Sequence, residues 1–173
     1  MAQELINIGA IPNDGTGDPL RDAFEKVNNN TTETYLDGRI LCNQANKDTT
    51  LGGIIDSTKE YFIDGIIDMG ATQITVPTTG MSIRGYSFDL SGLTSSEDNY
   101  TLFISESIVI GSGNLLGVDY YVSITGASSK VYELYDATGF NAFEFTRINY
   151  IDCTNLGDIY EYRQGLEFGT GRF

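Results

Sequence analysis

The chain has 173 residues, enough for one domain of ordinary size or two small ones. Its formal charge of −14, from 24 acidic and 10 basic residues, disfavours binding to nucleic acid or to an anionic membrane, because both recruit Lys and Arg. Histidine is absent, which excludes Ser-His-Asp and Cys-His catalysis and any His-ligated zinc or haem.

The 20 glycines against 3 prolines indicate many tight turns rather than a disordered linker. Eleven Tyr and nine Phe without Trp suit half-buried strands, so a mainly β chain is expected. Cys42 and Cys153 form no C-x-x-C and are expected to be free, small, buried thiols. The opening Met1-Ala2-Gln3-Glu4-Leu5 has no basic region and no long apolar run, so a signal peptide is not expected. No apolar stretch approaches the ~18 residues of a membrane span.

Residues 5–11 alternate loosely and suit a short strand or extended arm. Pro12-Asn13-Asp14-Gly15-Thr16-Gly17-Asp18 is dense in turn formers. Asp18-Pro19 then opens a helix, with Asp18 as N-cap and Pro19 at the first position, where its missing N–H costs nothing. The helix places Leu20, Ala23, Phe24 and Val27 on one face and Arg21, Asp22, Glu25 and Lys26 on the other. The heptad frame continues only through Thr31 and Thr34, which argues for a short helix against a partner rather than a long coiled coil. Ile40-Leu41-Cys42 is compatible with more helix, and Asn43–Thr50 is polar enough for a linker. The expected domains are therefore 1–45 and 46–173.

Short strand-like runs follow, bounded by turn residues: Gln73–Val76, Met81–Leu90, Tyr100–Ile104, Ser107–Ile110, Asp119–Ile124, Lys130–Leu134, Ala142–Phe145, Arg147–Cys153 and Gly165–Phe168. Apolar Ile54-Ile55, Tyr61-Phe62-Ile63 and Ile66-Ile67 precede them. Ile74, Val76, Ile83, Phe88 and Leu90 are expected to face inward. Ser82-Ile83-Arg84-Gly85 echoes Ser123-Ile124-Thr125-Gly126, with weaker relatives at Ile151–Thr154 and Leu166–Gly169. Successive strands of this kind suit the coils of a parallel β-helix, with a β-sandwich as the alternative. The run ends in mid-pattern without an evident polar cap, so the chain is expected to be a fragment truncated at its C-terminus.

The run Ile6-Asn7-Ile8-Gly9, then Pro12-Asn13-Asp14-Gly15-Thr16-Gly17-Asp18-Pro19-Leu20-Arg21-Asp22-Ala23-Phe24-Glu25-Lys26-Val27-Asn28, resembles a segment near the N-termini of bacteriophage tail fibre and tailspike proteins. The family continues with N-F-x-E-L-Y, where Asn30-Thr31-Thr32-Glu33-Thr34-Tyr35 substitutes Thr for Phe and Leu. The resemblance implies a structural virion protein, made in the host cytoplasm, that attaches to tail or baseplate proteins by its N-terminus and supports host-receptor recognition. It also implies a homotrimer, with any host surface glycan bound by a more C-terminal region. The remainder resembles the entry coils of pectate-lyase-like tailspike bodies, which are right-handed parallel β-helices. On this reading Leu20, Phe24 and Val27 make apolar attachment contacts and Arg21 a polar one. Asp14, Gly15, Gly17 and Asp18 shape the turn, and Pro19 starts the helix.

Asp14, Thr16, Asp18 and Glu25 fall at positions 1, 3, 5 and 12 of a calcium loop, but Pro19 stands where that loop needs glycine. Gly111-Ser112-Gly113-Asn114-Leu115-Leu116-Gly117 has its third glycine one place late for a dinucleotide loop, and a strand-like run follows. It is expected to be a turn. A depolymerase of the tailspike type, glycan hydrolase or lyase, would need two opposed carboxylates. Asp119, Asp136, Glu144, Asp152, Asp158, Glu161 and Glu167 are candidates, with no spacing that selects a pair. Tyr120, Tyr121, Tyr150, Tyr160 and Tyr162 could stack on sugars, as in a carbohydrate-binding module, or pack in the core. The expectation is no catalytic residue, no metal and no cofactor.

Overall fold

Runs of two to six residues form the strands of this protein, and in most of them, as in Met81–Gly85, side chains alternate between the interior and the outside. The structure, a computed structural model, describes residues 5–8, 15–19, 21–28 and 38–162. It divides into two units, Met1–Arg39 and Ile40–Phe173. The expectation set the boundary after residue 45.

In the first unit, helix α1 spans 21–28, and Ala23 N–H donates its first bond to the Pro19 carbonyl at 2.9 Å. The expected helix is therefore present over these residues. Asp14, Leu20 and the Asn30–Tyr35 continuation lie outside the described residues, as does the expected strand Gly165–Phe168.

The second unit begins with β1 (Arg39–Cys42) and the single-turn helix α2 (Lys47–Thr50). Three strands follow, β2 (Glu60–Ile63), β3 (Ile66–Asp68) and β4 (Ile74–Val76). The same triplet recurs as β5 (Met81–Gly85), β6 (Gly92–Ser95) and β7 (Thr101–Ser105), then as β8 (Leu115–Val118), β9 (Tyr121–Ile124) and β10 (Lys130–Tyr135). A last triplet is β11 (Phe143–Thr146), β12 (Asn149–Tyr150) and β13 (Gly157–Tyr160).

These strands build three sheets, ordered β1-β2-β5-β8-β11, β3-β6-β9-β12 and β4-β7-β10-β13. From β2 onward each strand pairs in parallel with the one three places later, so the chain visits the sheets in rotation. The fold is mainly β with parallel sheets.

Inward side chains stack from one triplet to the next. Tyr61, Ile83, Gly117 and Phe145 are in register in the first sheet, Ile67, Leu93, Val122 and Tyr150 in the second, and Ile74, Phe103 and Tyr132 in the third. Tyr132 holds the centre: its ring stacks on Phe103 at 5.4 Å and 18° and meets Phe143 edge-on at 5.1 Å. Its hydroxyl shares a 2.8 Å bond with the Tyr150 hydroxyl. At Gly117 a Cβ would stand 2.3 Å from the Phe145 ring, so the missing side chain makes room for the aromatic of the next triplet. Cys42 is fully buried and burial pushes its thiol up to about 11, while Cys153 is half-buried; neither is in a disulfide.

The corners repeat as well. Between the first and second sheets the left-handed backbone region is occupied by Gly65, Asp119 and Arg147; between the second and third by Gly70, Asn99, Ser128 and Asp152; after the third by Gly80, Gly111, Gly139 and Glu161. One such residue lets the chain turn sharply toward the next sheet.

Several expectations are corrected. Ile40–Cys42 is strand, not helix, and the polar Asn43–Thr50 stretch folds into a turn and α2 rather than a free linker. Phe88 and Leu90 are 42% and 65% exposed, because the strand ends at Gly85 and the Tyr86 N–H donates to Ser91 Oγ, closing an 86–91 loop. Ser107–Ile110 is a turn: Ser107 Oγ accepts from the Val109 and Ile110 amides and competes with any ladder. The run from Gly111 to Gly117 is not a turn throughout, since β8 begins at Leu115, and β6 went unanticipated. The echoing tetrapeptides do not stack, for Ser82–Gly85 lies in the first sheet and Ser123-Ile124 in the second.

Candidate functional site

Residues 5–8, 15–19 and 21–28 tie themselves together through three side chains. Asn7 N–H donates to Asp18 Oδ2 at 2.9 Å, and Asp18 N–H donates back to the Asn7 carbonyl at 2.8 Å. Asn7 Nδ2 donates to the Thr16 carbonyl at 2.7 Å. From α1, Lys26 Nζ reaches Asp18 Oδ2 at 2.7 Å and the Leu5 carbonyl at 3.0 Å. The Lys26 ammonium and then the Asn7 amide hold the Asp18 carboxyl below its usual 3.8. Asp18 and Lys26 are eight residues apart, so the turn-and-helix run contains the two ends of its own clasp.

Of the expected attachment residues, Gly15 has φ +72° and serves the turn, and Asp18 is the centre of the clasp. Gly17 is half-buried, while Pro19 and Arg21 are exposed. Phe24 and Val27 are 60% and 43% exposed, and the arm adds Leu5 at 78% and Ile8 at 89%. No described residue before Cys42 is buried. Sequence reasoning chose Phe24 and Val27 from helical spacing; it missed Asn7 and Lys26, whose roles appear only when the arm folds back on the turn.

The acidic residues of the second unit are mostly engaged. Asp136 is fully buried, and burial alone would raise its carboxyl. The Asn141 and Thr138 amides, the Thr138 hydroxyl and the Asn141 side chain outweigh that and bring it down to about 2. Asp119 pairs with Arg147 across adjacent corners, and Asp158 with Lys130 at 3.1 Å. Glu144, Asp152 and Glu161 are exposed, and Glu167 lies outside the described residues. Among the described residues no group of three or more Cys, Asp or Glu is placed to hold a metal. No helix among them is long and apolar enough to cross a membrane.

Tyr120 and Tyr150 belong to the core, and Tyr162 packs against it, so these are not exposed platforms. Tyr160 is 52% exposed. It borders a concavity of about 610 Å³ on the third sheet, floored by Ile104 and Ser105 of β7 and Glu133, Leu134 and Tyr135 of β10, with Ser107 and Ile108 at the rim. Comparison of the chain with protein-family models, curated proteins and solved structures returned no match.

Proposed function

We propose that this chain is a structural component of a bacteriophage tail fibre or tailspike, docked to the tail by its N-terminal unit. The second unit, on this reading, forms the opening coils of a right-handed parallel β-helix in a trimeric shaft. The observation that carries the reading is the Asn7–Asp18–Lys26 clasp. It holds the motif that resembles attachment segments as a unit of its own, with Phe24, Val27, Leu5 and Ile8 turned to solvent. Apolar side chains left outside a core suit a partner surface.

The β-helix reading is supported by the rotation through three parallel sheets, and its hand by the strong preference of parallel crossovers for the right-handed form. A scaffolding role, rather than glycan cleavage in these coils, is supported by the occupied carboxylates of Asp119, Asp136 and Asp158. The test is genetic. Phage carrying the gene with residues 1–30 deleted, or with Phe24→Asp and Val27→Asp together, should assemble particles that lack the fibre. Particles retaining a full complement would overturn the proposal.

A further inference from the structure

We infer that the arm at 5–8 docks by strand addition, its free main-chain edge pairing with an exposed sheet edge of the tail protein that receives it. This rests on the docking reading above and names the mode of that docking. The clasp uses one edge of the arm only. The Leu5 carbonyl accepts from Lys26 Nζ, the Asn7 N–H donates to Asp18 Oδ2, and the Asn7 carbonyl accepts from the Asp18 N–H. Residues two apart that bond on the same side are the pattern of an extended chain, in which the residues between them face the other way. Those residues are Ile6 and Ile8, and neither their N–H nor their C=O groups bond to any described residue. Leu5 to Ile8 also suits a strand by composition, with two β-branched residues, no proline and no charge, yet it pairs with no strand among the described residues.

Main-chain chemistry selects the occupant. The free edge presents a donor and an acceptor at Ile6 and again at Ile8. A purely apolar groove would strip water from these groups without replacing its hydrogen bonds. An open sheet edge supplies both kinds of partner at the spacing of the arm itself. The side chains fit the same occupant. Leu5 and Ile8 are 78% and 89% exposed. They lie on opposite faces of an extended chain, where each can rest on a residue flanking the partner's edge strand. Charge does not oppose the approach, since Lys26 Nζ lies 2.7 Å from Asp18 Oδ2 and the pair is neutral. The same clasp fixes the arm before the partner arrives, which lowers the ordering cost of pairing.

The test adds the purified full chain to particles from phage in which the gene is disrupted, and reads binding by cosedimentation. Amide hydrogen exchange is followed in the free and bound chain by mass spectrometry with fragmentation to single residues. Wild type should bind, and the Ile6 and Ile8 amides, fast to exchange in the free chain, should become protected in the complex. Ile6→Pro and Ile8→Pro each delete one free N–H and leave every group of the clasp in place, and proline's fixed φ is compatible with an extended arm. Each should bind about tenfold or more weakly than Ile6→Ala or Ile8→Ala, which lose the side chain but keep the N–H. Circular dichroism of the free variants confirms that they fold. Equal losses from Pro and Ala, or amides that stay unprotected in the bound chain, would overturn strand addition and leave docking by the first unit standing. Protection that appears in the chain alone and rises with its concentration would assign the edge to a second copy, and would also overturn the inference. If wild type pelleted no better than the chain lacking residues 1–30, docking itself would be removed, and this inference with it.

Discussion

Gln44 and Asp68 exchange two hydrogen bonds: Asp68 N–H donates to Gln44 Oε1 at 2.7 Å, and Gln44 Nε2 donates to the Asp68 carbonyl at 3.1 Å. The side-chain amide thus stands in for a neighbouring strand on β3, the outermost strand of the second sheet. Lys47 continues the edge, donating to the Met69 carbonyl at 2.8 Å and Thr72 Oγ1 at 3.0 Å. An open edge of this kind would otherwise offer unpaired groups to other chains.

Gln44→Ala should therefore lower stability by about 1 kcal/mol, the net worth of an exposed hydrogen-bond pair. Gln44→Glu keeps an acceptor for the Asp68 amide but sets a carboxylate against the Asp68 carbonyl. Its deficit should shrink below pH about 4, where the acid regains a donor. Urea midpoints at two pH values check both, and a wild-type midpoint for Gln44→Ala would remove the capping role.

Asp136 makes stability acid-sensitive. Its folded carboxyl lies at about 2 against an ordinary 3.8, so the unfolded chain takes up the proton first. The contribution, about 2 kcal/mol, is complete above pH about 4 and lost as pH falls toward about 2. Asp136→Asn should be less stable at neutral pH, because its NH2 faces donors, and should lose this part of the acid dependence. Denaturant midpoints taken from pH about 6 downward decide it.

The buried tyrosines should respond in opposite directions to loss of the hydroxyl. Tyr120 is fully buried and its Oη has no hydrogen-bond partner among the described residues, whereas Tyr150 shares one with Tyr132. Tyr120→Phe should match or exceed wild-type stability, by up to about 1 kcal/mol, and Tyr150→Phe should cost about 1–2 kcal/mol by stranding its partner. Equal losses from both in a thermal melt would contradict the pairing.

The corners give a further contrast. Ser128 is exposed with φ +60°, so Ser128→Gly relieves a left-handed residue and should gain up to about 1 kcal/mol. Gly111 has φ +81°, and a Cβ there would stand 2.7 Å from the Ala137 nitrogen and 2.8 Å from the Tyr135 carbonyl oxygen. Gly111→Ala should cost more than about 2 kcal/mol by chemical denaturation.

The amino-acid sequence by itself determined the mainly β character, the helix near Phe24 and the inward faces of Ile74, Val76 and Ile83, because alternation, helical spacing and turn chemistry act between near neighbours. Tertiary structure decided which strand joins which sheet. In-register residues of the first sheet, Tyr61, Ile83, Gly117 and Phe145, stand 22, 34 and 28 positions apart, since loops of unequal length at 86–91 and 106–114 interrupt the triplets. No fixed period survives in such a chain. Phe88 and Leu90 alternate with polar neighbours as Met81 and Ile83 do, but one position out of phase, and Ser91 takes the Tyr86 amide in a loop that leaves them exposed. Burial of Tyr120 and the reach of Lys26 to Asp18 likewise depend on groups that meet only after the chain has folded.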